Sequence, residues 1–257
     1  MSANSQAAPS AGSDTSVNQK HRGRSIVEGL KIISLSGIIL GTIGVALIVG
    51  FSAPPSGSIL MMMMVGVWAF WSCLVIFFFR DTDPHPPFEP GVIVSPAHGT
   101  VDYVDETEEK HFMEGRAHRV SIYLSLRDVH VQNAPIAGKV EFLKHFPGRF
   151  ARAIRRDASL RNDHLLIGFA FAPHRKMAIR LTAGVVVRRV LPWIEQGQFV
   201  ARGERISLIC FGSRVDVFLP SSAEVVVNPG DKLRGGETII ARLPEEVRSD
   251  FSVRPGR

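Results

Sequence analysis

Two long apolar runs dominate the N-terminal third of the chain. Residues 32–51 and 59–79 contain no Asp, Glu, Lys or Arg, and each run has about the 20 residues that an α-helix needs to cross a bilayer. Residues 52–58, between them, form a short uncharged turn with two prolines. The pattern predicts a helical hairpin in a membrane. The alternative is a buried core hairpin in a soluble protein, and the length and lack of charge of the runs argue against it.

The charges that flank the hairpin predict its orientation. Basic residues precede the first run at four positions: Lys20, Arg22, Arg24 and Lys31. Arg80 follows the second run, and the turn between the runs carries no charge. Because basic residues favour the cytoplasmic side of a membrane, we expect both ends of the hairpin in the cytoplasm. The domain that follows is then expected on the cytoplasmic face of the inner membrane.

From Arg80 onward, short apolar runs alternate with Gly, Pro and charged residues. Five runs rich in β-branched and aromatic residues are predicted strands: 92–94, 120–124, 165–171, 177–181 and 185–187. Residues 150–156 are predicted to be helical. The polar residues 1–19 cannot bury a core and predict a disordered tail. The chain is therefore divided into this tail, a membrane-anchoring hairpin over 20–80 and a mostly-β domain over 81–257.

The C-terminal third contains an internal repeat. Residues 196–206 and 229–239 share a first glycine, an apolar position and a Gly-Glu pair followed by Ile, all at identical spacing. Glycines at such positions allow tight turns between short strands. The pair is similar to the two turns of lipoyl- and biotinyl-carrier-like β-sandwiches, and we predict a core of that kind. The lysine that those carriers modify has no counterpart here.

Composition narrows the partners that the chain can have. The formal net charge is +6 and the pI is about 9.7, which favours nucleic acid or an acidic lipid surface. The hairpin favours lipid, and the basic residues lack the interleaved aromatic side chains of a nucleic-acid surface. The two cysteines, Cys73 and Cys210, indicate neither a disulfide framework nor a Cys-rich metal site. We therefore expect a membrane partner, no nucleic acid and no metal.

A cluster of arginines lies within the predicted helix and just before it. Arg149, Arg152, Arg155 and Arg156 are close in sequence, and three of them share one face at helical spacing. This basic face is expected either to meet an anionic bilayer or the phosphate of a lipid, or to be an ordinary solvated surface. The sequence leaves both interpretations open.

The segment that carries chemistry lies between the two halves of the repeat. Gly212-Ser213 stands between two apolar, strand-like runs, where a glycine is otherwise unfavourable. Residues 211–220 resemble the self-cleavage segment of the short bacterial phosphatidylserine decarboxylases. Other motifs are similar to that family in the same order: FFRD at 78–81, SPAHG at 95–99, and DVH at 128–130 with Pro135. The resemblance covers about residues 77–242.

The resemblance implies a proenzyme that cuts itself between Gly212 and Ser213. In the family, the serine hydroxyl attacks the glycine carbonyl, the resulting ester eliminates to dehydroalanine, and hydrolysis leaves a covalent pyruvoyl group. Residues 1–212 are then the β chain and residues 213–257 the α chain, held together as a heterodimer. The pyruvoyl ketone binds the amine of phosphatidylserine and accepts the electrons left by decarboxylation. The implied product is phosphatidylethanolamine.

Ser213 needs a base to become a nucleophile. His130 is the candidate, because it matches a family histidine that follows an aspartate by two residues. On a strand, Asp128 and His130 point to one face, so that the carboxylate can orient the imidazole or raise its basicity. The alternative interpretation of His130 is a polar residue on an exposed strand face.

His98 departs from the family pattern, which has an aspartate thought to help position the histidine. An imidazole is mostly neutral at neutral pH and does not replace a carboxylate. Departures also occur at 132–133 and at 162–165. Two hypotheses follow: an active carboxy-lyase in which Asp128 suffices to support His130, or a catalytically decayed membrane-anchored homologue that binds lipid or serves as a scaffold. The intact cleavage pair, Asp128 and His130 favour the enzyme.

Overall fold

A computed structural model describes residues 21–50, 55–148, 162–172, 175–182, 190–210 and 213–245. Helix α1 spans Arg24–Gly50 and helix α2 spans Pro55–Phe78. Both contain a stretch that is long and apolar enough to cross a membrane, which suggests membrane association. The helices pack against each other, and Gly37 of α1 lies close to the ring of Trp68 in α2. The two helices that the apolar runs predict are therefore present.

From Val92 onward the described residues form antiparallel strands joined by turns and loops. The strands are β1 Val92–Val94, β2 Gly99–Glu109, β3 Gly115–Leu124, β4 Val131–Asn133, β5 Gly138–Phe146, β6 His164–Ala172, β7 Arg175–Thr182, β8 Val190–Pro192, β9 Phe199–Val200, β10 Arg205–Ile209, β11 Ser213–Pro220, β12 Glu224–Val225, β13 Lys232–Leu233 and β14 Ile239–Arg242. The prediction of a mostly-β domain behind an apolar helical hairpin is confirmed.

Four of the predicted strands are present, in β1, β3, β6 and β7. The strand predicted at 185–187, the helix predicted at 150–156 with its arginine cluster, and the tail predicted at 1–19 lie outside the described residues. A sheet of eight strands has the order β13-β2-β3-β11-β7-β6-β5-β9. Two sheets of three strands complete the domain, with the orders β4-β10-β8 and β1-β14-β12.

Strand β11 lies in the middle of the large sheet, between β3 and β7. Its residues alternate between two faces, as the period of a strand requires. Val215, Val217 and Leu219 are fully buried in the main hydrophobic core, and each such side chain contributes roughly 1.5–3 kcal/mol. Arg214 and Asp216 lie on the opposite face and are buried as well. The strand that follows the predicted cleavage point is therefore held on both faces.

The repeat forms two equivalent turns. Gly203 and Gly236 both have positive φ, at 81° and 75°, a conformation that glycine adopts without strain. The amide of Gly203 donates to the carbonyl of Ala134 at 2.8 Å, and the amide of Gly236 donates to the carbonyl of Ser95 at 2.7 Å. The sequence repeat is thus a structural repeat. The likeness to carrier β-sandwiches stays a prediction.

Replacing Gly236 with alanine is expected to destabilise the domain. A Cβ there would lie 2.6 Å from Cβ of Pro84, so steric overlap adds to backbone strain, for a loss of about 2–5 kcal/mol. Gly230 is the matched control, because it also has positive φ but nothing within 4 Å of an added Cβ. Thermal unfolding of the detergent-solubilised chain should show a much larger decrease in Tm for Gly236→Ala than for Gly230→Ala. Equal decreases would contradict the close contact.

Candidate active site

Three segments that carry predicted site residues meet at one end of the large sheet. Strand β11 begins at Ser213, whose backbone pairs with Leu124 at the end of β3. Strand β2 begins at the same end, because its first residue, Gly99, packs against Tyr123 of β3. A Cβ added to Gly99 would lie 2.4 Å from the carbonyl oxygen of Tyr123. His98 directly precedes Gly99. The antiparallel register therefore brings Ser213, His98 and the chain that follows β3 to the same end.

The connections that leave this end lead to the small sheet that contains β4 and β10. In that sheet Leu208 pairs with Val131, and the amide of Ile209 donates to the carbonyl of His130 at 3.1 Å. Gly212 lies three residues beyond Ile209, a path of at most about 11 Å. Gly212 is outside the described residues, as is the side chain of Ser213. The described chain that leads to Gly212 is thus hydrogen-bonded to the backbone of His130.

His130 is fully buried. Its Nδ1 lies 2.8 Å from the main-chain carbonyl oxygen of Asp128, so Nδ1 carries the proton that is donated to that oxygen and Nε2 of the neutral ring has a free lone pair. Nε2 is buried and has no hydrogen-bond partner in the described part of the chain. Burial lowers the pKa of His130 to about 4, with a smaller contribution in the same direction from Arg80. The imidazole is therefore neutral at physiological pH and able to accept a proton.

Asp128 supports the histidine in a different way from the one predicted. Residue 128 lies in a turn, and β4 begins only at Val131, so the prediction that Asp128 and His130 share one face of a strand is wrong. The carboxylate accepts hydrogen bonds from the amide and the hydroxyl of Ser125, at 2.8 and 2.7 Å. The turn is closed by these bonds, and the carbonyl of Asp128, not its carboxylate, orients the imidazole.

His98 is half-buried beside the linker that follows α2. Its Nε2 lies 3.3 Å from the hydroxyl oxygen of Thr82. Burial lowers its pKa, and the negative charges of Glu237 and Asp128 oppose this shift. Within the described residues His98 makes no hydrogen bond to His130. The structure thus brings His98 to the same end of the sheet as Ser213. His98 does not orient the imidazole of His130, which is the role expected of an aspartate at this position.

Residues at the end of α2 belong to the site, although the sequence assigned them no role. The ring of Phe78 lies 4.2 Å from the imidazole of His130, centroid to centroid. Just beyond the helix, Asp81 accepts a hydrogen bond from Nε of the fully buried Arg205 at 2.8 Å. This ion pair fixes the helix exit to β10. The only sequence signal was the position of these residues within the FFRD motif.

The fold and the site together define a mostly-β protein with two apolar helices and a buried neutral histidine whose backbone pairs with β10, the strand that precedes Gly212. A family model described as phosphatidylserine decarboxylase matches residues 71–241. Several curated relatives carry the name phosphatidylserine decarboxylase proenzyme. That of Symbiobacterium thermophilum is 40% identical over 66% of this chain and 80% of the relative. Those of Desulfotalea psychrophila and Erythrobacter litoralis are 36% and 38% identical, over 67% and 69% of this chain and 80% and 76% of the relative.

The chain belongs to the phosphatidylserine decarboxylase family, an enzyme family of carboxy-lyases. The match begins within α2 and ends within β14, so it includes the end of the hairpin, both Gly-Glu turns and the Gly-Ser bond. The resemblance that the motifs indicated is confirmed.

Proposed function

We propose that this chain is a proenzyme that cuts itself between Gly212 and Ser213 and then decarboxylates phosphatidylserine to phosphatidylethanolamine. The observation that carries the proposal is the state of His130: buried, neutral, and with a free lone pair on Nε2. A serine hydroxyl attacks a peptide bond only when a base takes its proton, and the buried, neutral His130 is the base in this proposal.

In the proposed self-cleavage, Nε2 of His130 takes the proton of the Ser213 hydroxyl while the oxygen attacks the carbonyl carbon of Gly212. The C–N bond breaks, the protonated imidazole returns its proton to the amine, and an ester joins the two residues. Loss of the Cα proton of Ser213 then expels the carboxylate of Gly212 and leaves dehydroalanine. Addition of water with loss of ammonia converts that residue to a pyruvoyl group.

The described residues fit a pyruvoyl group at the start of β11. Nε2 of His130 is a buried polar atom with no hydrogen-bond partner among the described residues, next to an apolar cluster. Burying such an atom costs free energy of folding, so we infer that it has a role in the reaction. When bound, the group supplies an electron sink for the carbanion left by loss of CO2. Neutral His130 would act beside that group as a proton acceptor, through the lone pair on Nε2.

The two chains made by the cut are expected to stay together as a heterodimer. Arg214 donates to the Asp102 carboxylate and to the Ser121 hydroxyl, both at 2.7 Å, and Ser121 donates to Asp216 at 2.6 Å. Because this network, buried except at Asp102, joins β11 to β2 and β3, we expect the start of the α chain to stay fixed after the bond is broken. Strand β11 of the α chain would remain in the large sheet, between β3 and β7 of the β chain.

The proposed substrate is a lipid, and the proposed location is the cytoplasmic face of the inner membrane. Helix α2 ends at Phe78, in contact with His130, which supports a site close to the point where the apolar helix would leave the membrane. The basic residues that flank the hairpin favour the cytoplasm on this side. A phosphoserine head group can then reach the site while its acyl chains stay in the bilayer.

The second candidate function, a decayed lipid-binding homologue, rests on His98. Its weakness is that the imidazole of His130 is already oriented by the carbonyl of Asp128 at 2.8 Å. The orientation of the base therefore does not need a carboxylate at position 98.

Replacing His98 with aspartate is expected to change the rate of self-cleavage by less than about tenfold, or about 1.4 kcal/mol in the barrier. The measurement is the time course of the uncut chain on a denaturing gel. A rise of a hundredfold or more in His98→Asp would show that the present chain has lost a needed carboxylate, and would favour the decayed homologue.

The proposed reaction is tested with purified full-length protein and vesicles that contain phosphatidylserine. We expect phosphatidylethanolamine to appear in proportion to the amount of cut protein, and hydroxylamine, which traps ketones, to abolish its formation. Fully cut protein that forms no phosphatidylethanolamine would overturn the proposed substrate, and product formation by uncut protein would overturn the proposed cofactor.

A further inference from the structure

We infer that Phe78, the last residue of α2, is a positioning residue for His130, so that the end of the apolar hairpin forms a wall of the site in which the chain cuts itself. This inference rests on the proposed self-cleavage. The proposed proton transfer from Ser213 to His130 does not by itself require any residue of the hairpin.

The contact between Phe78 and His130 is close and enclosed. The ring centroids are 4.2 Å apart with the planes tilted by 38°. Phe78 is only 4% exposed, although its neighbours Phe77 and Ile76 are 49% and 60% exposed. Phe79 packs edge-on against Phe78 at 5.2 Å. Most side chains of α2 are exposed, and the buried ones at its C-terminal end are therefore those close to His130.

The hairpin also packs against the β domain around Phe78. One apolar cluster joins Val75 and Phe78 of α2, and Phe79 just after it, with residues of the small sheet and of the segments that lead to His130 and to the predicted cleavage point. Those residues are Val129, Val131, Leu208 and Cys210, and Ile32 and Ile33 of α1 pack against the cluster. Phe78 thus connects the hairpin to both chain segments that hold the reacting groups.

The Phe78 ring acts on His130 by excluding water from one side of the imidazole. Loss of hydration is the largest cause of the lowered pKa of His130, since burial disfavours the charged form. Two charged groups act on the ring as well: Asp128 favours the protonated imidazole, and Arg80, just after the helix, disfavours it. Without Phe78, water reaches the ring, and its pKa rises from about 4 toward its ordinary value of 6.5.

Phe78→Ala is therefore expected to make self-cleavage sensitive to mild acid. At pH 5.5 an imidazole with a pKa of about 4 is almost entirely neutral, whereas one with a pKa of 6.5 is about one tenth neutral. Between pH 8 and pH 5.5 the rate should stay nearly constant in the wild-type chain and fall in Phe78→Ala, by up to about tenfold if the pKa reaches 6.5. The measurement is the rate of cutting of the full-length protein in detergent at a series of pH values.

Two further variants separate this role from general damage. Phe70→Ala removes an equally large ring from the same helix, at a position that is 67% exposed, and should leave the pH profile unchanged. Phe78→Leu keeps an apolar cover over the imidazole and should restore a profile close to that of the wild type. If Phe78→Ala does not fold, Phe78→Val, with a smaller cover than leucine, should show an intermediate midpoint.

The outcomes are distinct. A Phe78 variant that cuts more slowly by the same factor at every pH would overturn the inference, because a merely structural role predicts that result. A wild-type chain that never cuts would overturn the proposed self-cleavage, and this inference with it. A wild-type chain that cuts, with unshifted profiles in the Phe78 variants, would overturn this inference alone.

Discussion

Ser213→Ala is expected to leave the protein as a single uncut chain, with no measurable phosphatidylethanolamine formed. Alanine has no hydroxyl to attack the Gly212 carbonyl and none from which a pyruvoyl group can arise, so both activities are lost together. The fold should persist, because β11 is held by its pairing with β3 and β7 and by the buried core residues that follow.

Ser58→Ala is the matched control for Ser213→Ala. Gly57-Ser58 is a second Gly-Ser pair in the chain, but it lies near the start of α2, away from His130. The Ser58→Ala protein should cut and decarboxylate like the wild type. Cutting in Ser213→Ala at the wild-type position would show that another group is the nucleophile.

His130→Ala is expected to slow self-cleavage by about 10²–10⁴-fold, the usual effect of losing a general base. The reason is that Nε2 of His130 is a buried proton acceptor on a neutral ring and has no hydrogen-bond partner among the described residues. The measurement is the fraction of uncut chain against time at pH 7.5. His118→Ala, at the far end of β3, is the control and should cut at the wild-type rate.

Wild-type protein should cut at a nearly constant rate down to about pH 5 and lose its rate as the pH falls through about 4, where His130 becomes protonated. A His130→Ala protein that retains the wild-type rate would move the role of base to another residue. His98, half-buried at the same end of the sheet, would then be the first candidate.

Local features of the molecule were predictable from the sequence. Uncharged apolar runs long enough to cross a membrane indicated α1 and α2. A single apolar segment in lipid has to satisfy its backbone hydrogen bonds internally, and an α-helix does so. The spacing of the Gly-Glu pairs indicated two equivalent turns, and Gly203 and Gly236 do have the positive φ that requires glycine. These features depend on neighbours in the chain, which is why a pattern reveals them.

Features that depend on distant pairing were not predictable. The position of β11 between β3 and β7 sets which residues surround the Gly-Ser bond, and no local pattern encodes that order. The contact between Phe78 and His130 joins residues far apart in the chain. The Asp128 carboxylate was expected at the imidazole because a strand was assumed, and a turn closed by Ser125 gives it other partners. Tertiary packing decided each of these points.

The proposed function depends above all on the formation of the catalytic group at Ser213 by the chain itself. The most direct test is the intact mass of the purified full-length protein after prolonged incubation. We expect two chains, residues 1–212 and residues 213–257, the smaller with a blocked N-terminus whose mass is that of a pyruvoyl group in place of serine. A single chain of full mass, or a smaller chain that begins with an unmodified serine, would contradict it.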